Sequence, residues 1–286
     1  MTLSRRLACL AAAALIVAML SPGDAGAQSD KPFEPTVGQE GKDVIWVPTP
    51  QALVDRMMTM ANVTAQDYVI DLGSGDGRTV ITAAKLGAKA HGIEYNEKMV
   101  ELSRQNAEKE GVAGRATFTK ADIFESDFSQ ATVITMFLLE ELNLKLRPQL
   151  LQLEPGTRLV SNTFNMGEWK EDDKVEAKAD CTSYCRAFLW IVPAKIEGNW
   201  QLVQDPEGAS KTTSTISLTQ EFQMVSGSAK PATGAAVKVS GGRVRGQEVT
   251  FKVADTEYTG RLEGGRMTGT YRAANRKGSW AAARGD

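Results

Sequence analysis

The stretch Tyr68-Val69-Ile70-Asp71-Leu72-Gly73-Ser74-Gly75-Asp76-Gly77-Arg78 decides the fold. Its apolar run ends in an acid and opens onto three alternate glycines, the pattern of a buried strand feeding a tight turn. Glycine carries no Cβ, so the backbone N–H groups of such a turn approach a ligand closely. The turn is therefore expected to cradle a cofactor through Gly73, Ser74, Gly75, Asp76 and Gly77. A phosphate loop would place Lys and then Ser or Thr after the last glycine, and a dinucleotide loop would read G-x-G-x-x-G; this chain has neither. Two carboxylates, Asp71 and Asp76, would repel a pyrophosphate and suit a ligand bearing an ammonium or sulfonium group. Among nucleoside cofactors that favours S-adenosylmethionine over NAD or ATP.

The next two strands carry matching acids. Lys89 to Asn96 reads as a short strand ending at Glu94 and Tyr95, and Glu94 lies 23 residues beyond Asp71. A carboxylate about 20 residues past a glycine loop is placed to hold a ribose diol in a doubly wound sheet. Ala116 to Phe124 reads as a third strand ending at Asp122 and Ile123. Together these segments resemble class I S-adenosylmethionine-dependent methyltransferases. The resemblance implies that Asp122 contacts the adenine amino group and that Ile123 covers the ring.

VPTPQALVDRM, DLGSGDGR, GIEYN and FLLEELNLKLRP narrow the likeness, over residues 44–195. They look like the small bacterial relatives of the mitochondrial lysine methyltransferases that modify the ATP-synthase c subunit and the ADP/ATP carrier. In that family the proline-containing segment before the first helix folds over the cofactor, which places Pro48 and Thr49 at its mouth. The family also implies an amine acceptor, with protein lysine favoured. The acceptor pocket should border the end of the fourth strand, where the chain reads Thr135 to Asn143 without an Asn-Pro-Pro-Tyr type motif. Glu140 and Asn143 are the catalytic candidates there, Glu140 as a proton acceptor and Asn143 as an orienting amide. A solvated helix start explains Glu140 equally well.

The first residues give the compartment. Arg5 and Arg6 precede an apolar run from Leu7 to Leu20, Ser21-Pro22-Gly23 breaks it, and Ala25-Gly26-Ala27 offers a small-x-small cleavage site. Residues 1–27 are expected to be a signal peptide and the protein to be exported, to the periplasm. At about 14 residues the run is shorter than the roughly 20 a bilayer-spanning helix needs, and no later segment is longer. Cleavage after Ala27 moves the formal charge from -2 to -3, and a mildly acidic chain without a basic tract gives no reason to expect nucleic acid. Export separates the protein from a cofactor made in the cytosol. Ser4-Arg5-Arg6 partially matches a twin-arginine signal, which would carry a folded, loaded protein. Once Cys9 leaves with the signal, Cys181 and Cys185 remain, as a disulfide in an oxidising compartment or as two free thiols. The sole histidine, His91, reads as a strand residue.

Residues 28–43, with Pro32, Pro35, Gly38 and Gly41, read as a flexible arm. Thr49 before Pro50 fits a helix N-cap followed by proline at the first helical position. Helices over Thr79–Leu86, Glu97–Glu110 and Glu141–Leu150 alternate with strands at 132–138 and 157–161. The expected class is α/β, a Rossmann-like doubly wound sheet, mostly parallel, over residues 44–195. Trp169 suits a substrate rim or a core, Lys170–Lys178 reads as a solvated connection, and Tyr184–Val192 as the last strand. From residue 196 to 286 the pattern changes to period-two alternation with turn glycines, which predicts six to eight antiparallel strands in a small all-β barrel or sandwich. Gly198-Asn199-Trp200 and Gly278-Ser279-Trp280 near its ends are placed to close it. Two functions compete: an exported methyltransferase, or a catalytically silent envelope protein whose β domain binds a partner. A dehydrogenase is a distant third.

Overall fold

In the computed structural model, which describes residues 33–178 and 180–285, β1 (Tyr68–Leu72) is an inner strand of a seven-stranded sheet. The expected signal segment, its cleavage point, Cys9 and residues 28–32 lie outside the described residues. β1 pairs in parallel with β2 (Lys89–Glu94) and with β4 (Val133–Met136). Beyond β2 lies β3 (Ala116–Lys120), and beyond β4 lies β5 (Arg158–Asn162), both parallel. Antiparallel β7 (Arg186–Ile191) and the edge strand β6 (Asp173–Glu176) complete the order β3-β2-β1-β4-β5-β7-β6. The reversal between β1 and β4 is the topological switch point, where open α/β sheets bind their ligands.

The alternation of β1 puts an apolar residue on each face. Val69 joins the core of α1 (Gln51–Met60) and α2 (Arg78–Lys85), while Ile70 and Leu72 join the core of α4 (Glu140–Leu150). A fourth helix, α3 (Glu97–Lys109), packs on β2 and β3. Asn96 caps it by accepting from the backbone N–H of Lys98 and Met99 at 3.0 and 3.4 Å, as a short amide at an N-cap does. No described helix is long and apolar enough to cross a membrane.

Two local expectations are corrected. Pro50, not Thr49, is the N-cap of α1, and it supplies no side-chain bond; the Thr49 hydroxyl instead accepts from Asn162 Nδ2 at 3.1 Å. Lys170–Lys178 is not simply a solvated connection, because Asp173–Glu176 adds β6 to the sheet. Among the described residues its one partner strand is β7, and an exposed, charged edge leaves no apolar alternation to read.

The second half is a closed eight-stranded antiparallel barrel: β8 (Gly198–Pro206), β9 (Thr212–Glu221), β10 (Met224–Pro231), β11 (Val237–Arg245), β12 (Glu248–Val253), β13 (Thr256–Glu263), β14 (Arg266–Ala273) and β15 (Arg276–Arg284). It closes where β15 pairs with β8, from Gly278 opposite Pro206 to Arg284 opposite Trp200. Closure removes both sheet edges. The interior is filled: Trp200 and Trp280 are buried, and Phe251 and Tyr258 stack at 4.7 Å.

The barrel is joined to the sheet through specific contacts. Phe222 stacks on Trp169 with centroids 5.9 Å apart and planes 9° apart, and Gln223 Nε2 donates to the Lys170 carbonyl at 2.7 Å. Arg243 pairs at 2.5 Å with Asp172, whose side chain is fully buried and also accepts from the Ile191 N–H. Removing the cation from a buried carboxylate is costly. Because Arg243 itself is part exposed, Arg243→Ala is expected to cost about 2 kcal/mol. That lowers Tm by roughly 4–8 °C in calorimetry, with Arg243→Lys losing less.

Candidate active site

The glycine loop is held from both sides. Gly73 and Ser74 donate their N–H groups to the Ile93 carbonyl at 2.9 and 3.1 Å, and Gly75 donates to Glu94 Oε2 at 2.9 Å. The other oxygen of Glu94 accepts from the Asn96 N–H at 2.9 Å. From α3, Ser103 Oγ donates to the Gly75 carbonyl and Asn106 Nδ2 to the Asp76 carbonyl. The glycines differ in purpose. A Cβ on Gly75, at φ 54°, would meet the Trp46 indole nitrogen at 2.6 Å, so this glycine faces the cavity. A Cβ on Gly77 would meet Phe118 at 2.8 Å and Ser103 at 2.9 Å. Gly77 precedes α2 at φ 82°, and these contacts make it a point of close helix–sheet packing.

Asp71, the residue before the last of β1, has only 6% of its surface exposed. Burial pushes its carboxyl up to about 7, the hydroxyls of Thr135 and Thr79 oppose that, and the nearby charges of Glu94 and Asp76 add to it. Thr135 Oγ1 donates to its Oδ1 at 2.6 Å. Asp76, by contrast, is clamped by Arg78 at 2.6 Å, and Arg78 also reaches the Thr49 carbonyl at 3.0 Å. Asp71 and Glu94 are therefore the carboxyl groups of the loop region with no ion-pair partner among the described residues.

Asp71, Gly73, Ser74, Gly75, Asp76, Glu94, Tyr95, Asp122, Ile123, Pro48 and Thr49 line one cavity. Trp46, Lys42, Arg78, Met99 and Leu138 line it as well, and no local sequence signal singles them out. Gly38 and Gln39 exchange backbone bonds with Trp46 at 2.8 and 2.9 Å, making a turn that lays Gln39–Trp46 along the cavity. That part of the expected flexible arm is thus a wall of the site. Lys42 forms an ion pair with Asp122 and stands 4.9 Å over the Tyr95 ring. Asp122 also accepts from the Phe124 N–H at 2.9 Å, and Lys42 holds its carboxyl below the usual value. Any adenine amino group would share Asp122 with Lys42.

The cavity fits S-adenosylmethionine. Its acids oppose an anion and suit a sulfonium and an ammonium, Glu94 is locked where a ribose diol would sit, and the buried hydroxyl of Ser74 has no partner among the described residues.

The catalytic candidates are not brought together at this cavity. Glu140 is exposed at the start of α4, outside the cavity wall. Asn143 is fully buried, and its Nδ2 donates at 3.2 Å to Ser161 Oγ and to the carbonyls of Phe164 and Asn165. It braces the loop after β5. At the end of β4 the cavity is lined by Phe137 and Leu138 instead. Trp169 is core, His91 lies within β2 and bonds Thr117 Oγ1 at 2.8 Å, and Cys181 and Cys185 form a disulfide.

The family model for the ANTKMT methyltransferase domain matches residues 71–173. A protein-lysine N-methyltransferase of Saccharolobus islandicus is 49% identical over 138 residues, covering 46% of this chain and 86% of that relative. The chain belongs to this methyltransferase family. Its cofactor is S-adenosyl-L-methionine. The methyltransferase is also 38% identical over 105 residues to a Rattus norvegicus lysine N-methyltransferase named for the ATP-synthase c subunit, covering 36% of this chain and about half (49%) of that relative. A solved structure described as an RNA methyltransferase from Salinibacter ruber, in complex with S-adenosyl-L-homocysteine, is 45% identical. It covers 52% of this methyltransferase and 96% of that chain, with a TM-score of 0.49.

Proposed function

We propose that this methyltransferase transfers a methyl group to lysine side chains of protein. The reading is carried by the 49% identity to the Saccharolobus islandicus protein-lysine N-methyltransferase, which spans 86% of that protein's length. When bound, S-adenosylmethionine supplies a methyl group on a sulfonium; the amine lone pair forms the N–C bond as the C–S bond breaks, its electrons staying on sulfur, and the amine gives up one proton. The chain's own contribution is positioning. Glu94 orients the ribose, Asp71 faces the positive charge, and Trp46 with the Gln39–Asp43 segment limits water access. The amine would approach from the end of β4.

The test incubates residues 28–286 with methyl-labelled S-adenosylmethionine and lysine-containing peptides, followed by mass spectrometry of the peptides. Methyl-lysine formed by the wild type and absent with Glu94→Ala supports the reading. No product with any peptide, despite cofactor binding, would favour the silent envelope protein. We also propose export to the periplasm, on the apolar run and cleavage site of residues 1–27 and on the Cys181–Cys185 disulfide. Terminal sequencing of protein from the envelope fraction checks it: a start at Gln28 is expected, and a start at Met1 would refute cleavage.

A further inference from the structure

We propose that Phe137, Phe164 and Tyr184 form an aromatic passage that receives the methyl acceptor as an alkylammonium side chain and leads it to the cofactor cavity; this rests on the amine-methylating reading above. Phe137 directly follows β4, at the carboxyl end of the sheet, and its half-buried ring lines the cavity. The Phe164 ring, in the loop after β5, lies 6.2 Å from it at 28°. Tyr184 meets the same ring edge-on, at 5.2 Å and 61°. Because Tyr184 is 41% exposed, the three rings run from the cavity wall to the surface.

This arrangement is poorly explained as core. A bulky residue at φ 54° is uncommon, and Tyr184 is kept there within the loop closed by the Cys181–Cys185 disulfide. Phe164 is fixed by Asn143, which donates to its carbonyl. The backbone of both outer residues is thus held by contacts of its own. Aromatic faces attract a cationic head, and their apolar surface accepts a methylene stem. A lysine side chain offers both, whereas a neutral alcohol of equal length offers only the stem.

The test titrates the full chain, loaded with S-adenosylhomocysteine, with n-butylammonium and separately with 1-butanol, reading binding by NMR. The ammonium is expected to bind about tenfold tighter than the alcohol. Tyr184→Leu should remove most of that preference and Tyr184→Phe should keep it, while S-adenosylhomocysteine affinity stays constant. The double substitution Cys181→Ser, Cys185→Ser should weaken ammonium binding several-fold, again without changing cofactor affinity. Equal binding of the two probes, or a preference that survives both Tyr184→Leu and Phe164→Leu, overturns the passage. Repeating the titration without S-adenosylhomocysteine reads the passage independently of the cavity. A chain that prefers the ammonium yet methylates no lysine peptide supports the passage and counts against lysine methylation alone.

Discussion

Glu94→Ala is expected to weaken S-adenosylmethionine binding about 100-fold, with the fold retained. Both carboxylate oxygens accept a backbone N–H, one from Gly75 and one from Asn96, so the side chain is already fixed before any ligand arrives. Its remaining lone pairs are available to a diol. Hydrogen bonds to a charged group contribute about 1.5–3 kcal/mol each, and the loss of roughly 3 kcal/mol corresponds to about 100-fold in affinity. Calorimetric titration measures it. Glu94→Gln is the control for loop integrity, since it keeps one acceptor for Gly75. Asp122→Ala should have a smaller effect, because Lys42 already engages that carboxylate. If Glu94→Ala binds within threefold or so of the wild type, the ribose assignment is wrong.

The second large effect belongs to Asp71 and appears as pH dependence. Its carboxyl is raised from the ordinary 3.8 to about 7 by burial. Between those values the folded state holds a proton that the unfolded state has released, so the Asp71 contribution to stability falls as pH rises from about 4 to about 7. The full penalty above that window is on the order of 4 kcal/mol in the absence of ligand. A sulfonium or ammonium favours the ionised form, so affinity should climb as pH rises through 7 and then level off, with a proton released on binding below it. Asp71→Asn should raise the ligand-free Tm at about pH 8 and weaken binding there. The variant should also lose the slope that the wild type shows near neutrality. The cofactor's own amine titrates in both proteins, so the difference between them isolates Asp71. A wild-type slope equal to that of Asp71→Asn would remove Asp71 from the binding site.

The parts of this site that were legible in the sequence are those carried by local geometry. A strand, three glycines and an acid at the end of the next strand are spaced by backbone rules, which is why Asp71, Gly75 and Glu94 could be placed. Trp46 could not, because its position over Gly75 depends on a turn that returns residues 38–46 across the sheet. Lys42 at Asp122 and Arg78 at Asp76 are side-chain pairings, and spacing alone does not set them. Gly77 answers a further demand that spacing does not reveal, because Phe118 and Ser103 press against it. For the barrel, alternation and turn glycines were enough for the class, while closure is decided by the register between β15 and β8.

Trp169 and Phe222 carry a consequence for how the molecule comes apart. The buried aromatic interior beneath β5 and β7 includes a ring contributed by the turn between β9 and β10. The change in sequence pattern at residue 196 therefore marks a change of architecture without marking a line of weakness. Heating should melt the sheet and the barrel in one calorimetric peak, and a cut at that point would leave the sheet's own interior missing a piece.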